Sequence, residues 1–214
     1  IVLLHRTRDG LAPALLRLIP EGRRSFPPAM APALSARTQP RVGQPLLALH
    51  GVQKNFGGLV AVGDLSFEMK SGEILGLIGP NGAGKSTVFN LISGVLPANA
   101  GEIQFLGNRI DGHNQRDIAR RGIARTFQHV NLVSAMNVLE NTAIGAHLRG
   151  RRGTIAAMLR AERAEEAQLL AEASRQLERV GLGKHLFEAA GSLPLGQQRV
   201  AEIARALCAD PILL

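Results

Sequence analysis

The octet Gly79-Pro80-Asn81-Gly82-Ala83-Gly84-Lys85-Ser86 fits G-x-x-x-x-G-K-[ST] at every fixed position, and its residue types suit the chemistry of a polyphosphate. Glycines let the backbone curl until successive N–H groups point at phosphate oxygens, and a helix starting at the end of the loop adds its positive terminus. Lys85 supplies a mobile charge for the β- and γ-phosphates, Ser86 a hydroxyl for Mg²⁺, and Thr87 a hydroxyl for the α-phosphate. Without context the same letters are a glycine-rich turn. A strand before the loop and a helix after it make it a phosphate site.

Both elements can be read from the flanks. Ile74 to Ile78 is apolar except for Gly76 and runs straight into the glycines, which predicts a buried parallel strand. Val88, Leu91 and Ile92 mark one face of a following helix, with Gly94 just beyond its end. Upstream, the texture from Leu46 onward is one of short alternating segments. Leu65, Phe67 and Met69 have the period of two of half-buried antiparallel strands. Gly101 to Ile110 reads as a strand or hairpin. Thr154 to Val180 reads as a charged helix with Leu170, Ala173, Leu177 and Val180 on one face and Gly181 as its stop. A last helix, Gln197 to Ala209, carries Val200, Ile203, Ala204 and Leu207 on one face and ends at Asp210-Pro211, after which Ile212 to Leu214 begin a strand.

With 214 residues and 45% hydrophobic content the chain can bury one substantial core. Seven of the eleven prolines lie in residues 1–45, and residues 21–44 read as a linker. The net charge of +8 is uneven, because seven Arg against two acidic residues in 1–44 supply +5 of it. The remainder is mildly basic, which gives no cause to expect a nucleic acid partner. One cysteine, Cys208, excludes an intramolecular disulfide and reads as a small buried apolar residue. No run of about 18 apolar residues occurs. The opening run Ile1 to Leu4 precedes His5, Arg6 and Arg8, the reverse of a signal peptide's order.

Segments on either side of the phosphate loop resemble ABC ATPases. Phe56, in Asn55-Phe56-Gly57-Gly58, lies 23 residues before Gly79, where that family places an adenine-stacking aromatic; the competing reading is a core phenylalanine. Ala124-Arg125-Thr126-Phe127-Gln128 resembles the family's Q-loop. The resemblance implies that Gln128 reaches Mg²⁺ and the attacking water, and that its flank, Arg125 included, touches a membrane subunit. Leu193-Pro194-Leu195-Gly196-Gln197-Gln198 stands in the place of the signature L-S-G-G-Q. It is a partial match: Pro194 replaces the serine and lacks both hydroxyl and N–H, and Leu195 replaces a glycine. Contacts from Gly196 and Gln197 to the γ-phosphate on an opposite subunit survive these changes; that of the serine does not.

The resemblance implies an α/β fold, a P-loop NTPase of the ABC ATPase type with an N-terminal antiparallel β subdomain and a helical subdomain at about 130–205. The ATP-binding domain would run over 45–214, behind an extension of residues 1–44. It further implies ATP and Mg²⁺ as cofactors, the catalytic pair Lys85 and Gln128, and Ser86 with Gln128 at the metal. Partners would be permease subunits, a second ATP-binding subunit and, indirectly, a periplasmic binding protein, at the cytoplasmic face of the inner membrane. Gly122 to His129 and Leu193-x-x-Gly196-Gln197-Gln198-Arg199 are similar to branched-chain amino acid importers, in particular their longer ATPase subunit. Residues 1–19 are similar to a permease tail, so a fused permease is one expectation and a plain N-terminal extension the other. Alternatives to import are a soluble ABC ATPase of another process and a binding module without catalysis. The carboxylates and the histidine that the family uses after the last strand are expected beyond Leu214, and residues 1–214 alone are expected not to turn over ATP.

Overall fold

The computed structural model describes residues 32–126, 130–149 and 162–214. Strand β1 (Pro45–Phe56) pairs antiparallel with β2 (Leu59–Lys70) on one side and β3 (Ala100–Phe105) on the other, and β4 (Asn108–Arg109) closes a sheet of order β2-β1-β3-β4. The alternation read from the sequence sets the register: Leu47 faces Met69 and Phe105, and Leu49 faces Phe67 and Ile103. Beyond Leu49 the phase shifts at Gly51, whose φ of 57° marks an irregularity in the ladder. That shift keeps Val52 buried, as Leu47 and Leu49 are.

Helix α1 (Lys85–Ile92) lays Val88, Leu91 and Ile92 on this sheet, as their spacing predicts. A short helix α2 (Gln115–Arg121), capped by Asn114 accepting from the Asp117 N–H, adds Ile118. The second layer is helical. It comprises α3 (Val138–Ala143), a 3₁₀ stretch Ile144–Arg149, α4 (Glu162–Arg179) and α5 (Leu195–Cys208). Asn137 and Glu140 form a reciprocal capping box that starts α3. Val138, Ala173, Leu177, Leu193, Ala201, Ala204 and Cys208 belong to a separate apolar cluster beneath these helices. No helix among the described residues is long and apolar enough to cross a membrane.

Two sequence expectations are revised. Helix α5 begins at Leu195, two residues early, and buries Ala201, Ala204 and Cys208, while Ile203 is 41% exposed. Small inward residues let α5 approach closely: a Cβ on Gly145 would overlap the carbonyl oxygen of Arg205. The charged helix is described over Glu162–Arg179, and residues 154–161 of its expected span lie outside the described residues. Most important for the site, Ile74 to Ile78 joins no ladder: Ile74 and Ile78 are almost fully exposed, and only Leu77 packs against the sheet cluster. A parallel strand exists only by pairing with neighbours, and among the described residues none lies beside it. A parallel ladder does begin elsewhere, where Ile123 bridges Leu213 and the Ala124 N–H donates to the Leu213 carbonyl at 2.9 Å.

Candidate functional site

The loop 79–84 is held by β2 as much as by its own glycines. Gly84, the N-cap of α1, has a φ of 81°, a left-handed conformation that side chains resist. A Cβ there would overlap the carbonyl oxygen of Ala61 and lie 3.4 Å from Val62 Cγ2. The loop backbone therefore rests directly on a strand, which fixes the start of α1. Gly82 is also left-handed, at 85°, but nothing lies within 4 Å of its would-be Cβ, so its open side is room for a ligand.

Within this turn the hydrogen bonds are sparse. Ala83 N–H donates to the Pro80 carbonyl at 3.2 Å, and the first helical bond runs from Val88 N–H to the Gly84 carbonyl at 2.9 Å. No side chain caps the helix and its first turn holds no acidic residue. The N–H groups of Lys85, Ser86 and Thr87 therefore lack helical acceptors and point out of the terminus, an arrangement suited to an anion. Lys85 bends back over the loop, its ammonium donating 2.6 Å bonds to the carbonyls of Gly79 and Pro80. This places the charge at the loop mouth. Ser86 is exposed beside it.

Phe56 ends β1 opposite Leu59, two residues before Ala61, or about 7 Å along the strand from the Gly84 contact. The ring is 46% exposed and does not belong to the core, and Lys54 Nζ sits 5.3 Å from its centroid while donating to the Pro97 carbonyl at 2.8 Å. The hairpin thus presents a supported, flat apolar surface near the phosphate loop.

Of the segment that resembles a Q-loop, Ala124 to Thr126 are described. Residues 127–129, Gln128 among them, lie outside the described residues. Arg125 is half-buried and turns inward, Nη1 donating to Asn90 Oδ1 at 2.7 Å and Ser93 Oγ at 3.0 Å. The segment is thereby tied to the far end of α1. Arg125 and Thr126 also line a cavity of about 270 Å³ between the layers, which reaches Ile144, Glu202 and Arg205.

At the partial signature, Pro194 is the N-cap of α5 and no side chain caps the helix. Gln198 N–H donates to the Pro194 carbonyl at 3.0 Å, so the N–H groups of Leu195, Gly196 and Gln197 form a second turn without helical acceptors. Sequence reasoning began the helix at Gln197 and left Gly196 before it; both lie in the first turn. Leu195 is 59% exposed, and a Cβ on Gly196 would meet nothing within 4 Å, so the terminus is open. Missed from sequence were Ala61 and Asn90, which position the loop and Arg125; nothing in their types marks them.

The donor set fits a nucleotide phosphate that brings its own metal. Among the described residues no group of three His, Cys, Asp or Glu side chains can hold a metal ion. Ser86 offers one hydroxyl, and Mg²⁺ usually keeps most of its ligands as phosphate oxygens and water.

Comparison with known proteins bears on the family and the fold. The family model described as ABC transporter matches residues 62–214. The chain is 41% identical over 175 residues to the high-affinity branched-chain amino acid transport ATP-binding protein LivG of Salmonella typhimurium, covering 81% of this chain and 69% of that one. It is 36% identical over the same shares to BraF of Pseudomonas aeruginosa, which carries the same description. Among solved structures, a nucleotide-free ATP-binding cassette from an ABC transporter superposes with a TM-score of 0.67 at 31% identity, covering 78% of this chain and 66% of that one. A cassette in its ADP conformation gives 0.65 at 32%, with the same coverage. The chain spans about two thirds of the length of these relatives.

Proposed function

This chain belongs to the ABC transporter family and has its ATPase-cassette fold, and we propose that it binds Mg-ATP at Gly79–Thr87 to power import of branched-chain amino acids. One observation carries the nucleotide site: the unpaired N–H turn of Lys85 to Thr87, opened by Gly82 and headed by the Lys85 ammonium. Here the chain's own groups bind and orient. Amides and Lys85 would take the β- and γ-phosphates, Ser86 and Gln128 the Mg²⁺, Thr87 the α-phosphate, and Phe56 the adenine. The bound nucleotide and metal supply the phosphoryl group and its charge neutralisation.

The signature turn at Gly196 and Gln197 is the second half of the site. It would meet the γ-phosphate held by another copy or a paired subunit, joining two chains around two nucleotides. The 270 Å³ cavity beside Arg125 and Thr126 is a fitting seat for a permease helix, because it opens where the two layers meet. Amino acid import rests on the likeness to the LivG and BraF proteins, and with it a peripheral position on the cytoplasmic face of the membrane, receiving solute through a periplasmic binding protein.

The test is calorimetric titration of Mg-ATP and Mg-ADP into the chain and into Lys85→Ala. Loss of binding in the variant supports the site; wild-type affinity refutes it. Radiolabelled leucine uptake by cells carrying the whole gene with its neighbouring permease genes then tests import. Uptake that is indifferent to Lys85→Ala removes the transport reading.

A further inference from the structure

Residues 32–44 are irregular, yet their contacts lead from one layer to the other. Leu34 packs against the helical cluster. The Ser35 carbonyl accepts from Arg149 Nη2 at 3.0 Å. Arg37 then turns to the other side: its N–H donates to the Asp210 carboxylate, its guanidinium donates to the Arg120 carbonyl at 2.6 Å, and its Cδ lies 3.5 Å from where a Cβ of Gly122 would be. Three residues later the Pro40 carbonyl accepts from Ser71 Oγ at 3.3 Å, and Gly43 N–H donates to the Ser71 carbonyl at 2.9 Å beside the sheet.

Arg149, where the segment grips the helical layer, is itself a junction. Its side chain is 8% exposed, donates to the Cys208 carbonyl at 3.0 Å, and lies 3.5 Å from Glu172 and 3.8 Å from Asp210. A buried guanidinium has no water to fall back on, so each acceptor it loses is costly. Ser35 is one of those acceptors. Elsewhere the layers are joined where Ile212 and Leu213, just after α5, bond to Gly122 and Ala124, and they stand apart around the 270 Å³ cavity. Two apolar clusters with a cavity between them can shift relative to one another at modest cost.

We propose that Leu34 to Pro40 form a strap that locks the helical layer against the sheet layer, so that α5 moves relative to α1 only when the strap's contacts to Asp210 and Arg149 open. The strap thereby sets the distance between the open turn at Leu195–Gln197 and the phosphate loop, and its release frees that distance to change. The lock works without nucleotide and does not depend on which solute is carried.

Hydrogen exchange read by mass spectrometry on the full chain tests this. Asp210 has a φ of 50°, so Asp210→Gly keeps the backbone comfortable while deleting the strap's acceptor. Leu34→Ala combined with Arg37→Pro alters only the strap, removing its apolar anchor and the N–H that donates to Asp210, and serves if the first variant fails to fold. In both, amides of α3 and α5 should exchange about tenfold faster or more, the loss of one charge-assisted bond, while those of β1 and β3 keep their wild-type rates. Unchanged exchange, or equal acceleration in both layers, overturns the proposal. Asp210→Asn keeps an acceptor for the Arg37 N–H and should stay near wild type. Acceleration there as large as with glycine would assign the effect to the Arg149 charge and sink the strap.

Discussion

Replacing Gly84 by alanine attacks the loop through its support without touching any phosphate-binding side chain. The left-handed φ of 81° costs an alanine about 1–2 kcal/mol. Its Cβ would also overlap the Ala61 carbonyl oxygen, with the Ala61 carbonyl carbon at 3.3 Å. Relieving that overlap requires α1 and β2 to part, an overpacking cost of about 1–3 kcal/mol. Together these give about 2–5 kcal/mol, up to half the stability of an ordinary domain. Gly82→Ala is the control, because its φ of 85° imposes the same strain while nothing lies within 4 Å of the new atom. Urea unfolding of both variants, followed by circular dichroism, should place Gly84→Ala below Gly82→Ala by the overpacking cost alone. Equal destabilisation, within about 0.5 kcal/mol, would refute the claim that β2 bears the loop.

Phe56→Ala should weaken ATP by about 1–3 kcal/mol on the scale of base stacking, whereas Phe56→Tyr keeps the flat face and should bind nearly as well; equal losses in titration calorimetry would make the ring structural. Burial first, and the Glu172 charge second, push the Cys208 thiol to about 12, so about one thiol in ten thousand is ionised at pH 8. Iodoacetamide should therefore label the native chain orders of magnitude more slowly than the urea-unfolded one, and comparable rates would contradict the buried position. For Glu172, burial raises the carboxyl's pKa, but hydrogen bonds from Arg175 and Gln176 and the charge of Arg149 outweigh it and hold the value below 4.5. A depressed folded value means stability is fully present above the unfolded value and lost as pH falls through the folded one. Glu172→Gln should accordingly flatten the loss of stability below about pH 4.5, and an unchanged acid limb in pH-dependent urea titrations would show that the pair contributes nothing.

The turn at residues 79–84 and the helix it starts were legible because their geometry is local. Glycines at 82 and 84 and Lys85 act through their own backbone and the helix they start, and the period of two around Leu47, Leu49, Phe67 and Met69 carries its register with it. The strand at Ile74 to Ile78 was not legible as structure, since an apolar pentad states that burial is wanted but not what supplies it. The face of α5 was misread by one residue for a related reason. The expected face of Val200, Ile203, Ala204 and Leu207 does bury Ala204 and packs Val200 on the cluster, but close approach to Gly145 favours the small Ala201 and leaves Ile203 exposed.

What positions the candidate site therefore lies mostly outside its motifs. The loop rests on Ala61 of β2, and Arg125 clamps the last turn of α1 through Asn90 and Ser93. Helix α1 is thus held at both ends, by a strand at its start and by the Q-loop flank at its finish. A movement at Thr126 reaches the phosphate loop along one rigid helix of eight residues, about 12 Å long. The same flank lines the cavity whose opposite wall is Glu202 and Arg205 of α5, the helix that presents the second open turn. On the proposed function, an occupant of that cavity would reach both candidate anion turns, one through Arg125 and α1, the other through α5 itself. The two turns need no direct contact to be coupled, because the groove between the layers is the element they share.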